Sequence, residues 1–189
     1  MEPMGIGLIT TMTEGVEETA ETIKKLDLGS IQYLVMPDDD MSDESVAKIR
    51  RTFVDEGIEI TLLFCFYRGM DYSTLEMGVQ TGGLVPARFR WERLDWTKQV
   101  ANFAKALGAS AVCSHYGEIP EERDTGDYRD LINVTQDLCD HCKSLGLTFN
   151  LETGEDSTRT IHNFLADVSR DNLGINFDPA NMILYGKSE

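Results

Sequence analysis

Short apolar runs alternating with amphipathic stretches predict an α/β fold of the (β/α)8 TIM-barrel type, with only the first six β-α units present in the 189 residues. The strand candidates are apolar almost throughout, as strands buried on both faces must be. Helix-period segments separate them, which is the pattern of parallel crossovers. Most strands also end in polar or reactive residues: Asp38 to Asp40, Arg68, His115, Glu152 and Asp178. Functional groups spread over several strand ends are the habit of a barrel. The competing architecture is an open doubly wound sheet, but no strand leads into the Gly-rich loop of nucleotide-binding sheets.

The elements follow in order. Gly5 to Met12 is a first apolar strand, and Gly15 to Leu26 carries Val16, Ala20 and Ile23 at helical spacing. Ile31 to Pro37 is the second strand, closed by the acidic loop Asp38 to Asp40. Ser42 is suited to cap a helix that buries Val46, Ile49 and Phe53. Glu59 to Tyr67 is a third strand. Arg68 to Arg90 then reads as one long irregular stretch punctuated by Gly69, Gly78, Gly82, Gly83 and Pro86. Loops of that length inside a domain are usually functional or mobile. Trp96, Val100, Phe103 and Leu107 stripe a helix from Glu92 to Leu107, which Gly108 closes. Ser110 to Ser114 is strand four, and Asp127 to Leu145 a helix that Gly146 ends. Strand five runs from Leu147 to Leu151, a helix from Thr158 to Val168, and strand six starts at Leu173. Tyr185 to Glu189 reads as the loop after strand six, with no further helix. Residues 1–189 therefore read as a single domain, apparently truncated after strand six, whose last two units belong to a longer chain or come from elsewhere.

Charge narrows the function. Lys plus Arg number 17 against 33 Asp plus Glu, a formal net charge of -16. Nucleic-acid affinity rests on cations that replace counterions at phosphates, so a polyanion is excluded as partner. The densest basic run, Arg88-Phe89-Arg90 with Arg93, could hold one or two small anionic or polyol groups, or pair with surface acids. No apolar run approaches the ~20 residues that span a bilayer, and no leader pattern opens the chain, which predicts a cytoplasmic protein without membrane contact. The cysteines (Cys65, Cys113, Cys139, Cys142) are too irregular for a disulfide framework. Cys139-Asp140-His141-Cys142 has zinc-like spacing but no second ligand pair. Cys142 falls on a helix face with Leu131, Val134, Leu138 and Leu145, which reads as core packing.

Two strand ends carry the chemistry. The run Leu173-Gly-Ile-Asn-Phe-Asp178 stops at Pro179, which cannot extend a ladder. Strand five ends in Glu152-Thr-Gly-Glu155. Carboxylates at the same end of neighbouring parallel strands could share a divalent cation. They could equally cap helices or solvate loops, since Asp before Pro is common in turns. His115 reads either as a satisfied buried imidazole or, with Gly117 after it, as a substrate contact.

Three segments resemble one family. Phe177-Asp-Pro-Ala-Asn-Met-Ile-Leu-Tyr-Gly186, Glu152-Thr-Gly-Glu155 and His115-Tyr-Gly-Glu-Ile-Pro120 are similar to the sugar-phosphate isomerase/epimerase group of the xylose-isomerase-like barrel superfamily. The likeness covers essentially the whole chain and the first six of the family's eight units. It implies that Glu152 and Asp178 are two of four ligands to one divalent metal ion (Mn, Mg, Co or Zn). The other two ligands, a His and a Glu from the last two units, have no counterpart here. It also implies that Glu152 is one of an acid/base pair that moves a proton alpha to a sugar or sugar-phosphate carbonyl through an enediolate. His115, Glu155 and Asn181 are then expected at the substrate. A small-molecule sugar is the expected partner, and a homo-oligomer is the expected assembly. A dehydratase or lyase on the same scaffold, and a non-catalytic incomplete barrel that binds a sugar, are the alternatives. Relatives of the endonuclease IV type need a histidine-rich site for three zinc ions, which three histidines and strong acidity rule out.

Overall fold

Six strands lie side by side in chain order: β1 (Gly7–Thr11), β2 (Ser30–Val35), β3 (Glu59–Cys65), β4 (Ala111–His115), β5 (Thr148–Glu152) and β6 (Leu173–Asn176). Every neighbouring pair is parallel. The structure, a computed structural model, describes residues 5–11 and 15–186. A doubly wound sheet reverses its strand order at a switch point. This order never reverses, so the sheet is that of a barrel.

The helices are α1 (Val16–Lys25), α2 (Asp43–Thr52), α3 (Leu75–Thr81), α4 (Arg90–Leu107), α5 (Gly126–Ser144), α6 (Thr158–Val168) and α7 (Pro179–Leu184). Their starts follow the chemistry of the sequence. Ser42, Thr74, Thr125 and Ser157 each accept a hydrogen bond from the backbone N–H three residues on, satisfying a donor that the first helical turn leaves open. Gly108 closes α4 at φ 86°, a conformation that costs a residue without Cβ nothing.

Strand alternation divides the apolar side chains into two layers. Ile31, Tyr33, Val35, Leu63, Cys65, Val112, Phe149 and Leu151 face the helices, packing with Ile23, Ile49, Val100, Leu107, Leu131, Leu138 and Phe164. Leu62, Phe64, Ala111 and Cys113, with Leu34 and Phe66, form a smaller cluster on the other face. Cys139 and Cys142 lie in the first layer and all four cysteines are free, so the zinc-like spacing is packing.

Three expectations need correction. Residues 68–90 are not irregular throughout: α3 occupies Leu75–Thr81, and α4 starts at Arg90 rather than Glu92. The segment after Asp178 is not loop but α7. Arg90 and Arg93 of the arginine cluster neither await an anion nor lie on the surface, whereas Arg88 is exposed and donates to the Gln80 carbonyl. Arg90 and Arg93 are 2% and 3% exposed. Arg90 donates to the carbonyls of Leu84, Val85 and Asp127 and pairs with the Asp127 carboxylate at 2.9 Å. Arg93 donates to the carbonyls of Thr81, Gly83 and Arg68, under the rings of Tyr67 and Phe89. Forked guanidinium donors satisfy carbonyls that the folded-back loop would otherwise bury unpaired.

The same loop docks on the exit of β4, where the Leu84 and Val85 N–H groups donate to the Tyr116 carbonyl at 2.8 and 3.0 Å. Gly83 permits the approach: its φ is +60°, and a Cβ there would stand 2.0 Å from the Tyr116 carbonyl carbon. Met12, expected to close β1, and residues 187–189 lie outside the described residues. No helix among the described residues is long and apolar enough to cross a membrane.

Candidate active site at the strand ends

The parallel register aligns His115 of β4 with Glu152 of β5, and Glu152 with Asn176 of β6. The three residues form one transverse row at the carboxyl end of the sheet. They line a 450 Å³ cavity on the face of the smaller cluster, together with Asp178 and Asn181.

Glu152 is held from several sides. Its Oε2 accepts from Asn176 Nδ2 and, at 3.6 Å, from the Cys113 thiol; its Oε1 lies 3.5 Å from Asn181 Nδ2. Burial pushes its carboxyl above the usual range, the bonds from Asn176 and Cys113 pull it down, and the neighbouring Asp178 carboxyl pushes it up again. Glu152 and Asp178 line the same cavity, and the Asp178 charge adds to the effect of burial on Glu152.

Asp178 has a second task. Its Oδ1 accepts from the N–H groups of Ala180 and Asn181 at 2.8 and 3.1 Å, capping α7. Pro179 sits at the first helical position, where its missing N–H costs nothing. Thr153 fixes this corner: its hydroxyl accepts from Asp178 N at 2.7 Å, and its own N–H donates to the Asn176 carbonyl. Capping and cation binding, posed as alternatives by the sequence, are compatible in one side chain.

His115 packs edge-on against Phe64 and Phe66, with ring centroids 5.1 and 6.0 Å away, and against Tyr72 at 5.5 Å. Burial lowers its pKa, with Asp178 opposing, so the imidazole is neutral at pH 7. Glu155 lines a second cavity of 190 Å³ with Tyr72, His115, Gly154, Asn181 and Tyr185. The five residues expected from the sequence therefore gather in two cavities that share His115 and Asn181. Among the described residues, no three His, Cys, Asp or Glu side chains group so as to hold a metal ion.

Asn176, Cys113, Thr153 and Tyr72 were not anticipated. For two of them the signal was present: Asn176 and Cys113 each precede a site residue by two positions along a strand or its exit, and so share its face.

Sheet and strand ends together define a β/α-barrel protein with an acidic pair at the carboxyl ends of its strands. The chain belongs to the xylose isomerase-like TIM barrel family, whose sequence profile matches residues 20–189. A xylose isomerase domain protein from Planctomyces limnophilus is 35% identical, with a TM-score of 0.89 over 95% of this chain and 64% of its own. An L-ribulose 3-epimerase superposes with a TM-score of 0.72 at 17% identity, over 96% of this chain and 63% of its own. A xylose isomerase-like TIM barrel protein from Mycobacterium smegmatis, in complex with magnesium, gives 0.65 at 20% identity, over 88% and 57%. The latter two likenesses concern the fold alone. The chain spans less than two thirds of the length of each of these three structures. No curated protein sequence matches.

Proposed function

We propose that this protein is a divalent-metal-dependent isomerase or epimerase that transfers a proton alpha to the carbonyl of a small sugar. The observation that carries the reading is the meeting of Glu152 and Asp178 in one cavity, where burial and then the Asp178 carboxyl disfavour charge on Glu152. A cation between them would relieve that repulsion, so the donor chemistry fits a hard or borderline divalent ion. Glu152 and Asp178 would hold it, and a bound Mn, Mg, Co or Zn ion would supply Lewis-acid polarisation of the carbonyl.

The chain's own residues account for the remaining roles. Glu152, oriented by Asn176 and Cys113, takes up and returns the proton. His115, neutral and fixed by three aromatic rings, offers a hydrogen bond to substrate oxygen. Asn181 and Glu155 take substrate hydroxyls. In this reading residues 1–189 form one domain of a cytoplasmic, self-associating enzyme. The barrel shared with an L-ribulose 3-epimerase and with a magnesium-bound relative supports it.

The test is solvent-deuterium exchange. Incubated with Mn²⁺ and a panel of ketoses in D₂O, the protein is expected to wash deuterium into the position beside the carbonyl, and Glu152→Gln to abolish this. A panel without exchange sinks the reading. Exchange accompanied by loss of a hydroxyl transfers it to a dehydratase.

A further inference from the structure

Tyr72 belongs to the β3–α4 connection, and that connection is built to hold it still. Arg93 ties the carbonyls of Arg68, Thr81 and Gly83 together, and Thr81 Oγ1 accepts from Asp71 N at 2.9 Å, closing the segment on itself. The Tyr72 ring rests on α3 at Gly78, where a Cβ would meet its Cδ1 at 3.1 Å. It also contacts His115, at 5.5 Å between ring centroids. The ring is therefore a fixed wall of the 190 Å³ cavity.

The chemistry of that cavity is specific. Glu155 and Asn181 offer hydroxyl partners, and Tyr72 and Tyr185 offer both phenol groups and apolar ring surface. Burial, and then Glu155, push the Tyr72 phenol up to about 12 with Arg93 opposing, so it stays a donor. Neither cavity is lined by a Lys or Arg among the described residues. Arg68 pairs with Asp38, and Arg90 and Arg93, the latter close enough to act on the Tyr72 phenol, donate to loop carbonyls. Three carboxylates, Glu152, Asp178 and Glu155, surround the joined space.

We propose that the second cavity binds the far, hydroxyl-bearing end of an uncharged sugar, that Tyr72 is its specificity-determining residue, and that a phosphate ester is rejected there. The inference rests on the sugar reading above and narrows it from sugars and sugar phosphates to sugars alone. An aromatic face suits the C–H side of a sugar, and a carboxylate accepts from its hydroxyls. The same carboxylate repels a phosphate, and among the described residues no Lys or Arg lines the second cavity to offset it.

Binding tests this without turnover. The protein, kept metal-free with chelator, is titrated with D-fructose and with D-fructose 6-phosphate by ligand-detected NMR. D-fructose is expected to bind about tenfold more tightly than its phosphate ester, a gap of about 1.4 kcal/mol. Tyr72→Ala should weaken D-fructose about tenfold, the order expected for a lost aromatic contact, whereas Tyr72→Phe keeps most of the affinity. Glu155→Gln, which preserves shape, should narrow the gap between the two ligands even if Tyr72→Ala loosens α3. Equal or tighter binding of the ester overturns the proposal, as does unchanged affinity in Tyr72→Ala or failure of both ligands to bind. Selective binding without deuterium exchange would remove the isomerase reading and leave this one standing. Exchange that favours the phosphate ester would do the reverse.

Discussion

Asp178 caps α7 and faces Glu152, and two substitutions separate these tasks. Asp178→Asn keeps an oxygen where Oδ1 accepts from Ala180 N at 2.8 Å and Asn181 N at 3.1 Å, and asparagine caps helices as well as aspartate does. It removes the charge that raises the Glu152 pKa. Asp178→Ala removes both. In urea unfolding with chelator, Asp178→Ala should lose about 1 kcal/mol, the worth of an N-cap, while Asp178→Asn stays within about 0.5 kcal/mol of the parent. Titration with Mn²⁺, followed by water-proton relaxation, should show the opposite grouping. Both variants should bind at least about tenfold more weakly, or about 1.4 kcal/mol, because each leaves a single carboxylate. If Asp178→Asn kept the parent's Mn²⁺ affinity, Asp178 would be a cap and nothing more.

Two further outcomes follow from the scaffold. Gly83→Ala puts a Cβ at φ +60°, 2.0 Å from the Tyr116 carbonyl carbon, so the loop must undock; a loss of about 3 kcal/mol or more in urea unfolding is expected, and a loss under about 1 kcal/mol would refute the docking. Asp167 accepts from Arg123 and from the Tyr128 hydroxyl, which hold its carboxyl below the usual range. Its folded pKa lies below its unfolded one, so its contribution is complete above the unfolded value near about pH 4 and fades as pH falls through the folded value. Asp167→Asn should flatten that part of the acid limb in unfolding midpoints measured against pH, and an unchanged limb would assign the acid sensitivity elsewhere.

What the sequence revealed and what it hid have separate physical causes. Strands two to five were legible because residues such as Leu63, Val112 and Phe149 sit in unbroken apolar runs, and Ser42 announced α2 by its type alone. The helix α3 was hidden because Gly78 interrupts it and Gly82-Gly83 follow it, so local preference favoured a loop that the Arg93 tether overrides. The helix α7 was hidden by an ambiguity: Asp-Pro starts turns and helices alike, and only the bonds from Ala180 and Asn181 to Asp178 decide between them. Arg90 and Arg93 misled because charge predicts exposure, while the carbonyls that bury them come from residues distant in sequence. Glu152, Asp178 and His115 were visible as polar stops to apolar strands. Tyr72 reaches His115 only through tertiary structure, which no spacing in the sequence encodes.

The transverse alignment of His115, Glu152 and Asn176 ties the polar cavity to correct assembly. Side chains on a strand alternate between faces, so a slip of β5 by a single residue would offer Leu151 to the cavity and thrust Glu152 among the helices. Such a misthreaded sheet would bury a stranded anion and take Glu152 away from Asp178. The meeting of Glu152 with Asp178 and native strand pairing therefore appear and vanish together.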